Sequence, residues 1–377
     1  MADTYDVVIV GGGPSGAAAA INLVQAGISV AILERSQHAT FRVGETLPPA
    51  VRHFLARLGA WEQFLRSSCA SSSVIYSSWE SNELYAQDHI FNPYGMGWHV
   101  NRAQFDSMLA SMAKQMGSKL ATRARVRSCR QQEAGEWEIR AELDNVPHRF
   151  HANFLVDATG RASAIARSFG ARKITYDRLV AIVKLFALPQ HSDIHEPFTL
   201  IEAEANGWWY SARLPQRCLL LSYLTDSDLY QKGTRHSKTY WEDQLQQTSY
   251  TRESASTRGR GLGQFIFSAN SFRLDKIHGS NWLAIGDAAA ATDPLAGKGV
   301  CQALEAGISG AQAVLKVISG DKFAFENYSS SIARSFETFL RLRKSYYERQ
   351  ERWPESAFWN RRKASSSKPT DICFSSS

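Results

Sequence analysis

The chain has 377 residues, with 43 Lys+Arg against 36 Asp+Glu for a formal charge of +7, and 44% of its residues are apolar. That is enough chain for two or three domains around a substantial core, and it excludes a peptide-sized binding module and wholesale disorder. The five cysteines (Cys69, Cys129, Cys218, Cys301 and Cys373) are scattered with no CxxC pair. That pattern excludes a disulfide framework and a cysteine zinc site and suits an intracellular protein.

The opening MADTYDVVIVGGG has no basic segment ahead of its apolar run. It reads as a strand rather than a secretory signal, and a cytoplasmic location is expected. No stretch approaches the ~20 apolar residues of a membrane span. Residues 5–10 fit a buried parallel strand, an Ala-rich segment after them fits a close-packed helix, and residues 28–35 fit a second strand that ends near Glu34. The glycines between the first strand and the helix fall at Gly11, Gly13 and Gly16. In that spacing the first permits a tight turn, the second close approach of a pyrophosphate, and the third contact between helix and strand. The helix start supplies free N–H groups to a phosphate, and Glu34 stands where a carboxylate can accept both ribose hydroxyls.

Farther on, Pro48 and Pro49 open a helix that carries Val51, Phe54, Leu55 and Leu58 on one face and stops at Gly59. Short aromatic strands are expected over 74–99. Arg102 opens a second amphipathic helix with Phe105, Met108, Leu109 and Met112 inward. Residues 120–156 alternate strands and turns, including a hairpin, and lead to Asp157 and Gly160 at the end of a buried strand. From 174 to 267 the chain reads mainly as strands, with a helix over 237–249. A further strand ends at Asp287, and Gly297 and Gly299 precede an Ala-rich helix whose N-terminus could face an electron-rich ring. A last helix is expected over 322–352 and a mobile tail from about 364.

Ten tryptophans are present, Trp208 and Trp209 adjacent and Trp353 and Trp359 close together. Strand alternation puts Trp208 and Tyr210 on one face and Trp209 on the other, where either a pocket wall or plain sheet packing is open. Residues 334–363 carry Arg334, Arg341, Arg343, Lys344, Arg349, Arg352, Arg361, Arg362 and Lys363. That basic run suits a solvated helix face or an acidic macromolecular partner, and nothing in it resembles a nucleic-acid reader. His191 and His278 fall in turn-like segments expected to face solvent. No His, Asp or Cys cluster has metal-ligand spacing.

GGGPSG with Glu34–Arg35, Arg102 before a helix, DATG at 157–160 and GDAAAATDPLAGKG at 286–299 together resemble the FAD-dependent monooxygenases of the p-hydroxybenzoate hydroxylase type. They also resemble the related flavin-dependent halogenases and geranylgeranyl-reductase-like proteins. The resemblance implies an α/β fold: an FAD-binding Rossmann-like domain of the glutathione-reductase type, interrupted by a mostly β substrate domain and followed by C-terminal helices. The implied division is 1–73, 97–173 and 268–325 for the FAD domain, 74–96 and 174–267 for the substrate domain, 326–363 for the helical region and 364–377 for a flexible tail.

It further implies FAD held by Gly11, Gly13, Pro14, Ser15 and Gly16 at the pyrophosphate and by Glu34 and Arg35 at the ribose end. Arg42, Gly44 and Arg102 would flank the middle of the cofactor. Val126, Gly160 and Asp287 are also implied as contacts, and Pro294, Gly297, Gly299 and Val300 would lie against the isoalloxazine. NAD(P)H would reduce the flavin by transient docking, and O₂ would be the second substrate. Lys298, His99 and Trp208 are the candidates for catalytic side chains. Lys298 would act through its charge in the flavin-adjacent loop, with an exposed loop lysine as the alternative. His99 would act by approaching the flavin, with a structural hydrogen bond as the alternative.

GETLPP at 44–49 looks like the halogenase GESxxP stretch, but halogenases of this type use a lysine soon after it. This chain has no lysine before Lys114, and GWWYSARLP stands in place of WxWxIP. The combination of HIFNPYGMGWHVNRAQFDSML, DATGRASAIARSFGARK, YDRLVA, GWWYSARLP and GDAAAATDPLAGKG is most similar to the LodB/GoxB-like flavoproteins, which mature the cysteine tryptophylquinone of quinoprotein amino-acid oxidases. That resemblance implies hydroxylation of a tryptophan in a precursor protein. The alternatives are hydroxylation of a free aromatic metabolite and a flavin-binding chaperone of the precursor.

Overall fold

A computed structural model describes residues 3–364 apart from residues 90, 134 and 190–196. The expectations for His191 and for the tail from 365 onward lie outside the described residues.

The strand Asp3–Val10 is central because its last four residues are buried on both faces, as a parallel strand between helical layers requires. It pairs in parallel with Val30–Leu33 on one side and with Val146–Asp157 on the other. Lys119–Ala121 extends the sheet on one flank, and Trp282–Ala284 and His278–Gly279 extend it on the other. The expected hairpin, Ala124–Gln131 with Trp137–Leu143, pairs antiparallel to Val146–Asp157 and completes eight strands. The glycine-loop helix Pro14–Gln25 packs beside this sheet through Ala17, Ala18, Ala19 and Ala20, whose short side chains allow a close approach. The Ala-rich helix Gly299–Ile318 lies against it and shares the same core.

The second sheet has seven strands in the order Gly261–Ser268, Leu179–Ala187, Cys218–Asp226, Gly207–Leu214, Thr199–Glu204, Val74–Ser78 and Tyr85–Asp88. Its two faces bury different cores. Trp208 faces one core with Leu220, Leu224 and the partly buried Tyr210, Phe41, Val43 and Leu295. Trp209 faces the other, stacked on Tyr223 at 5.0 Å and edge-on to Trp241 at 4.8 Å. Where the sequence suggested one helix over 237–249, three short helices occur: Ser227–His236, Tyr240–Gln246 and Tyr250–Ser256. The breaks have local causes. Ser237 leaves helical geometry and bonds Asp243, and the Glu202 carboxylate accepts the N–H groups of Ser249, Tyr250 and Thr251 at the start of the third helix. A small sheet of Thr46–Leu47, Gly97–Val100 and Cys69–Ser72 stands beside the second sheet.

The long helix Ala324–Glu348 and the terminal helix Ala357–Ala364 lie where basic residues were expected to meet solvent or a partner. Two of those residues, Arg343 and Arg362, turn inward instead, while Arg334, Arg341, Arg349 and Arg361 stay exposed. Arg343 pairs with Asp177 at 2.9 Å and Arg362 with Asp226 at 2.8 Å, both pairs buried, while Arg361 bridges Asp226 and Asp228. Arg349 reaches Glu80. The acids that neutralise Arg343 and Arg362, Asp177 and Asp226, are distant in sequence, which is why a local charge count did not single out those two.

Glu204, at the end of its strand, accepts from the Tyr223 hydroxyl at 2.6 Å and the Asn206 N–H at 3.0 Å. Burial outweighs these bonds and pushes its carboxyl from 4.5 up to about 7. Between those two values the unfolded chain has released a proton that the folded chain still holds, so stability falls as pH rises through that window. The change amounts to at most about 3 kcal/mol. Urea midpoints measured from pH 5 to 8 should fall less steeply in Glu204→Gln, which stays neutral throughout. An unchanged slope would remove Glu204 as the cause.

Candidate functional site

The site begins where Asp3–Val10 ends. Gly11 adopts a left-handed φ of +110°, and a Cβ there would stand 2.2 Å from the Ala158 carbonyl oxygen. A Cβ on Gly16 would stand 2.0 Å from the Gly11 carbonyl oxygen. Both glycines are therefore demanded by the protein itself. Gly13 is different: a Cβ there has only Arg42 Nη1 within reach, at 3.9 Å. The space in front of Gly13, at a helix start with Pro14 as its first residue, is left by the protein and suits a pyrophosphate. Ser15 and Gly16 are buried in the first turn of that helix.

Glu34 is buried at the end of the second strand. Its Oε2 accepts from the Gly12 N–H at 2.7 Å, and its Oε1 accepts from both the backbone and the hydroxyl of Ser36. Burial, the largest influence, raises the carboxyl, but Ser36, Gly12 and the Arg42 guanidinium together bring it below its ordinary value. A carboxylate offers about four acceptor positions. Three are taken, so Glu34 has room for one ribose hydroxyl rather than the two expected from its position. The adjacent Arg35 is exposed.

Asp106 ties the next residues together. Fully buried in the helix Arg102–Gln115, it receives Arg42 at 3.1 Å and both the Nε and Nη2 of Arg102, at 3.0 and 3.1 Å. Arg102 Nη1 donates to the Val43 carbonyl. Gly44 has a left-handed φ of +97°, and a Cβ on it would sit 2.6 Å from Arg102 Nη1 and 3.6 Å from Val300. The segment after Phe41 is thereby strapped down by one arginine. Asp106 carried a legible signal, its i,i+4 spacing from Arg102.

On the opposite side, Asp157 is an internal cap: it accepts from Thr159, Ile165 and Ala166 and fixes the turn that holds Gly160 at a left-handed φ of +63°. Asp287 lies in a short turn after Trp282–Ala284. Burial raises its carboxyl, opposed by the charges of Arg161 and Arg102. Pro294 opens a further short turn in which Asp293 accepts from the Leu295 N–H, and Gly297 ends it at a left-handed φ of +60°. Lys298 is the exposed cap residue before Gly299–Ile318, with Gly299 exposed and Val300 buried beneath. A helix of that length presents unpaired N–H groups and partial positive charge at its start. Val126 sits half-buried in the hairpin opposite Ala141.

Two of the three catalytic candidates take other roles. His99 is fully buried, with Nδ1 2.6 Å from the Arg213 carbonyl and Nε2 2.9 Å from Thr199 Oγ1. Burial lowers its pKa to about 4, so it is a neutral ring with both nitrogens engaged inside the protein. That arrangement fits a structural hydrogen bond and leaves no nitrogen for proton transfer. Trp208 is covered rather than lining an open wall: its Nε1 donates to the Tyr347 hydroxyl at 3.1 Å, and that hydroxyl donates to Asp293 at 2.8 Å. The C-terminal helices, whose packing site no local pattern reveals, supply the cover. Tyr347 and Asp293 were not singled out in the sequence for the same reason.

Among the described residues there is no cluster of His, Cys, Asp and Glu able to hold a metal ion, and no helix is long and apolar enough to cross a membrane.

The chain is 27% identical over 373 residues to LodB of Marinomonas mediterranea, a protein named as an FAD-dependent oxidoreductase, with 96% of this chain and 98% of that protein covered. The structure superposes on the myxobacterial chondrochloren halogenase CndH with a TM-score of 0.86 at 21% identity, covering 96% of this chain and 86% of that one. It superposes on QhpG, a peptidyl tryptophan dihydroxylase essential for tryptophylquinone cofactor biogenesis, with a TM-score of 0.79 at 21% identity, covering 96% and 79%. These likenesses extend through both sheets and the helices after them. The FAD-binding domain family model matches residues 4–336, which include the glycine loop, Glu34, Arg102 and the Pro294–Val300 loop. With the glycine turn at Gly13 and the arginine strap inside the matched span, the chain belongs to that FAD-binding family and is a flavin-dependent oxidoreductase.

Proposed function

We propose that this protein is an FAD-dependent hydroxylase acting on a tryptophan side chain of a partner protein during maturation of a tryptophylquinone cofactor, the partner being the precursor of a quinoprotein amino-acid oxidase. The observation that carries this reading is the end-to-end likeness to LodB, 96% of one chain against 98% of the other, supported by the fold shared with QhpG. Halogenases share the fold as well, but the lysine such enzymes use after the GESxxP stretch has no counterpart before Lys114.

Bound FAD, once reduced by NAD(P)H, supplies the means to insert oxygen from O₂ into an electron-rich aromatic ring. The chain's own residues supply position and charge. The helix start at Gly13–Ser15 and the open space before Gly13 would take the pyrophosphate, and Glu34 would take one ribose hydroxyl. Arg42 and Arg102, oriented by Asp106, would hold the extended middle, with Gly44 admitting Arg102 at close range. Val126 and Gly160 would approach with backbone, and Asp287 would meet the ribityl region. Pro294, Gly297, Gly299 and Val300 would form the surface beneath the isoalloxazine. Lys298 and the helix start behind it would place positive charge beside the ring, favouring an anionic reduced state.

The test is intact-mass analysis of a candidate quinoprotein precursor co-expressed with and without this protein. The expected result is a gain of one or two oxygen atoms on a tryptophan-containing peptide only when this protein is present. Identical precursor masses in both cultures would overturn the reading.

A further inference from the structure

The helix Val51–Arg57 follows the strap that carries Gly44 and buries Val51 and Leu55 in the core of the FAD-binding layer. Its outer face presents Arg52, His53, Ala56 and Arg57, all exposed. They fall at positions i, i+1, i+4 and i+5 and so share one side of the helix. Across from that side stands the turn of residues 91–96. Pro93 and Tyr94 of the turn and the four helix residues line an open cleft of about 540 Å³. The rings of His53 and Tyr94 lie 6.3 Å apart across it.

No acid lines the cleft, and among the described residues neither Arg52 nor Arg57 has a carboxylate partner. Arg42, Arg102, Arg343 and Arg362 of the same chain each hold one. The Arg52 guanidinium lies over the Trp61 ring at 5.4 Å, which steadies it without neutralising it. The positive charge is carried by arginine alone, since no lysine precedes Lys114. A guanidinium offers a planar fork of donors that matches a carboxylate.

The turn also holds large apolar side chains in water: Phe91 is 96% exposed, Tyr94 44% and Met96 40%. It is well tied. The His89 N–H donates to the Ser73 carbonyl, and Asn92 accepts the Tyr94 N–H on its side chain and the Gly95 N–H on its carbonyl. Exposed rings beside unneutralised guanidiniums match protein interfaces, which favour Arg, Tyr, Phe and Met. A free phosphate would use the arginines and leave Phe91 and Met96 uncovered. The turn leads into Gly97–Val100, which pairs with Thr46–Leu47 of the strap and ends at the Asn101 cap of the Arg102 helix. One strand thus joins the cleft to the cofactor-side strap.

We propose that the cleft docks an acidic segment of the precursor protein, its carboxylates taken by Arg52 and Arg57 and an apolar side chain beside them covering Phe91, Tyr94 and Met96. The inference rests on the hydroxylase reading for the identity of the partner and adds a holding site apart from the tryptophan that reacts. Anchoring a protein substrate away from its reacting ring raises the local concentration of that ring without using contacts at the flavin.

The test immobilises a purified candidate quinoprotein precursor and follows binding by surface plasmon resonance. The FAD-loaded parent chain is compared with the double variant Arg52→Gln/Arg57→Gln and with Phe91→Ala. The double variant should associate about tenfold more slowly and lose most of the salt dependence that the parent shows between about 50 and 300 mM. Phe91→Ala should instead dissociate several-fold faster. Flavin content and the rate of reduction by NADPH should match the parent in both variants. Binding that the variants leave unchanged, or a parent chain that does not bind, would overturn the docking site. A double variant that binds the precursor normally but needs more NADPH for flavin reduction would assign the cleft to the dinucleotide and overturn it as well. Failure of the hydroxylase reading shows separately, as a bound precursor whose mass never changes.

Discussion

Gly16→Ala should yield a protein that does not retain FAD, because its new methyl would stand 2.0 Å from the Gly11 carbonyl oxygen and 3.2 Å from the Ala158 side chain. No rotamer relieves a Cβ, so the helix must move away from the strand end. Gly11→Ala meets the same obstacle, 2.2 Å from the Ala158 carbonyl oxygen, and adds a left-handed φ that costs an L-residue roughly 1–2 kcal/mol. Both variants should be poorly folded or flavin-free. The informative contrast is Gly13→Ala, whose methyl has only the tip of Arg42 at 3.9 Å for company. With FAD removed from both, it should melt at the same midpoint as the parent chain and lose FAD affinity alone, since the space it enters belongs to the cofactor. Flavin absorbance per protein after gel filtration, set beside circular dichroism melts, separates the two classes. Normal flavin content in Gly13→Ala would remove the pyrophosphate from that position.

The second large effect concerns the terminal helix. Arg362 and Asp226 are both buried and lie 2.8 Å apart, and the guanidinium rests over Phe358 at 3.5 Å. Asp226→Ala strands a buried cation whose Nε already lacks a partner, and Arg362→Ala leaves Asp226 with the half-exposed Arg361. Removing one partner of such a pair typically costs about 3–5 kcal/mol, most of it the penalty of the charge left behind. The aspartate variant should therefore be the worse of the two. Loosening this helix exposes Trp359, so tryptophan emission should shift red along with the loss of the urea midpoint. Replacing both residues with apolar side chains of similar volume should recover much of the loss, and failure to recover would mean that the pair contributes more than mutual neutralisation.

The parts of the site legible in the sequence are those whose reason is local. Gly11 and Gly16 answer to a turn and a helix contact within a few residues, and Asp106 is announced by its helical spacing from Arg102. The alternation of Trp208, Trp209 and Tyr210 gave the correct faces of a strand. What covers each face did not follow, because Tyr347 and Trp359 arrive from more than a hundred residues away. Two members of the basic run after residue 334 were misread for the same reason: Arg343 and Arg362 are neutralised by Asp177 and Asp226, acids that belong to the second sheet and its entry. Glu34 stands at the end of the second strand, but Ser36, two residues on, occupies one of its oxygens, which a reading of its position alone did not foresee. His99 shows the limit most clearly. A histidine three residues before a cofactor-side arginine looks reactive in sequence, and only its two internal hydrogen bonds reveal it as a strut.

The Tyr347 phenol, shared between the loop of Asp293 and the indole of Trp208, gives the molecule no separable halves. The FAD-binding layer and the second sheet are each completed by the same side chain of a helix that comes after both, so neither can reach its native packing until synthesis has passed residue 347. A fragment that ends earlier would leave Trp208 uncovered and Asp293 buried without its phenol. Anything that tightens the Asp293 loop, a bound flavin included, should then raise the melting temperature of the second sheet as much as that of the first.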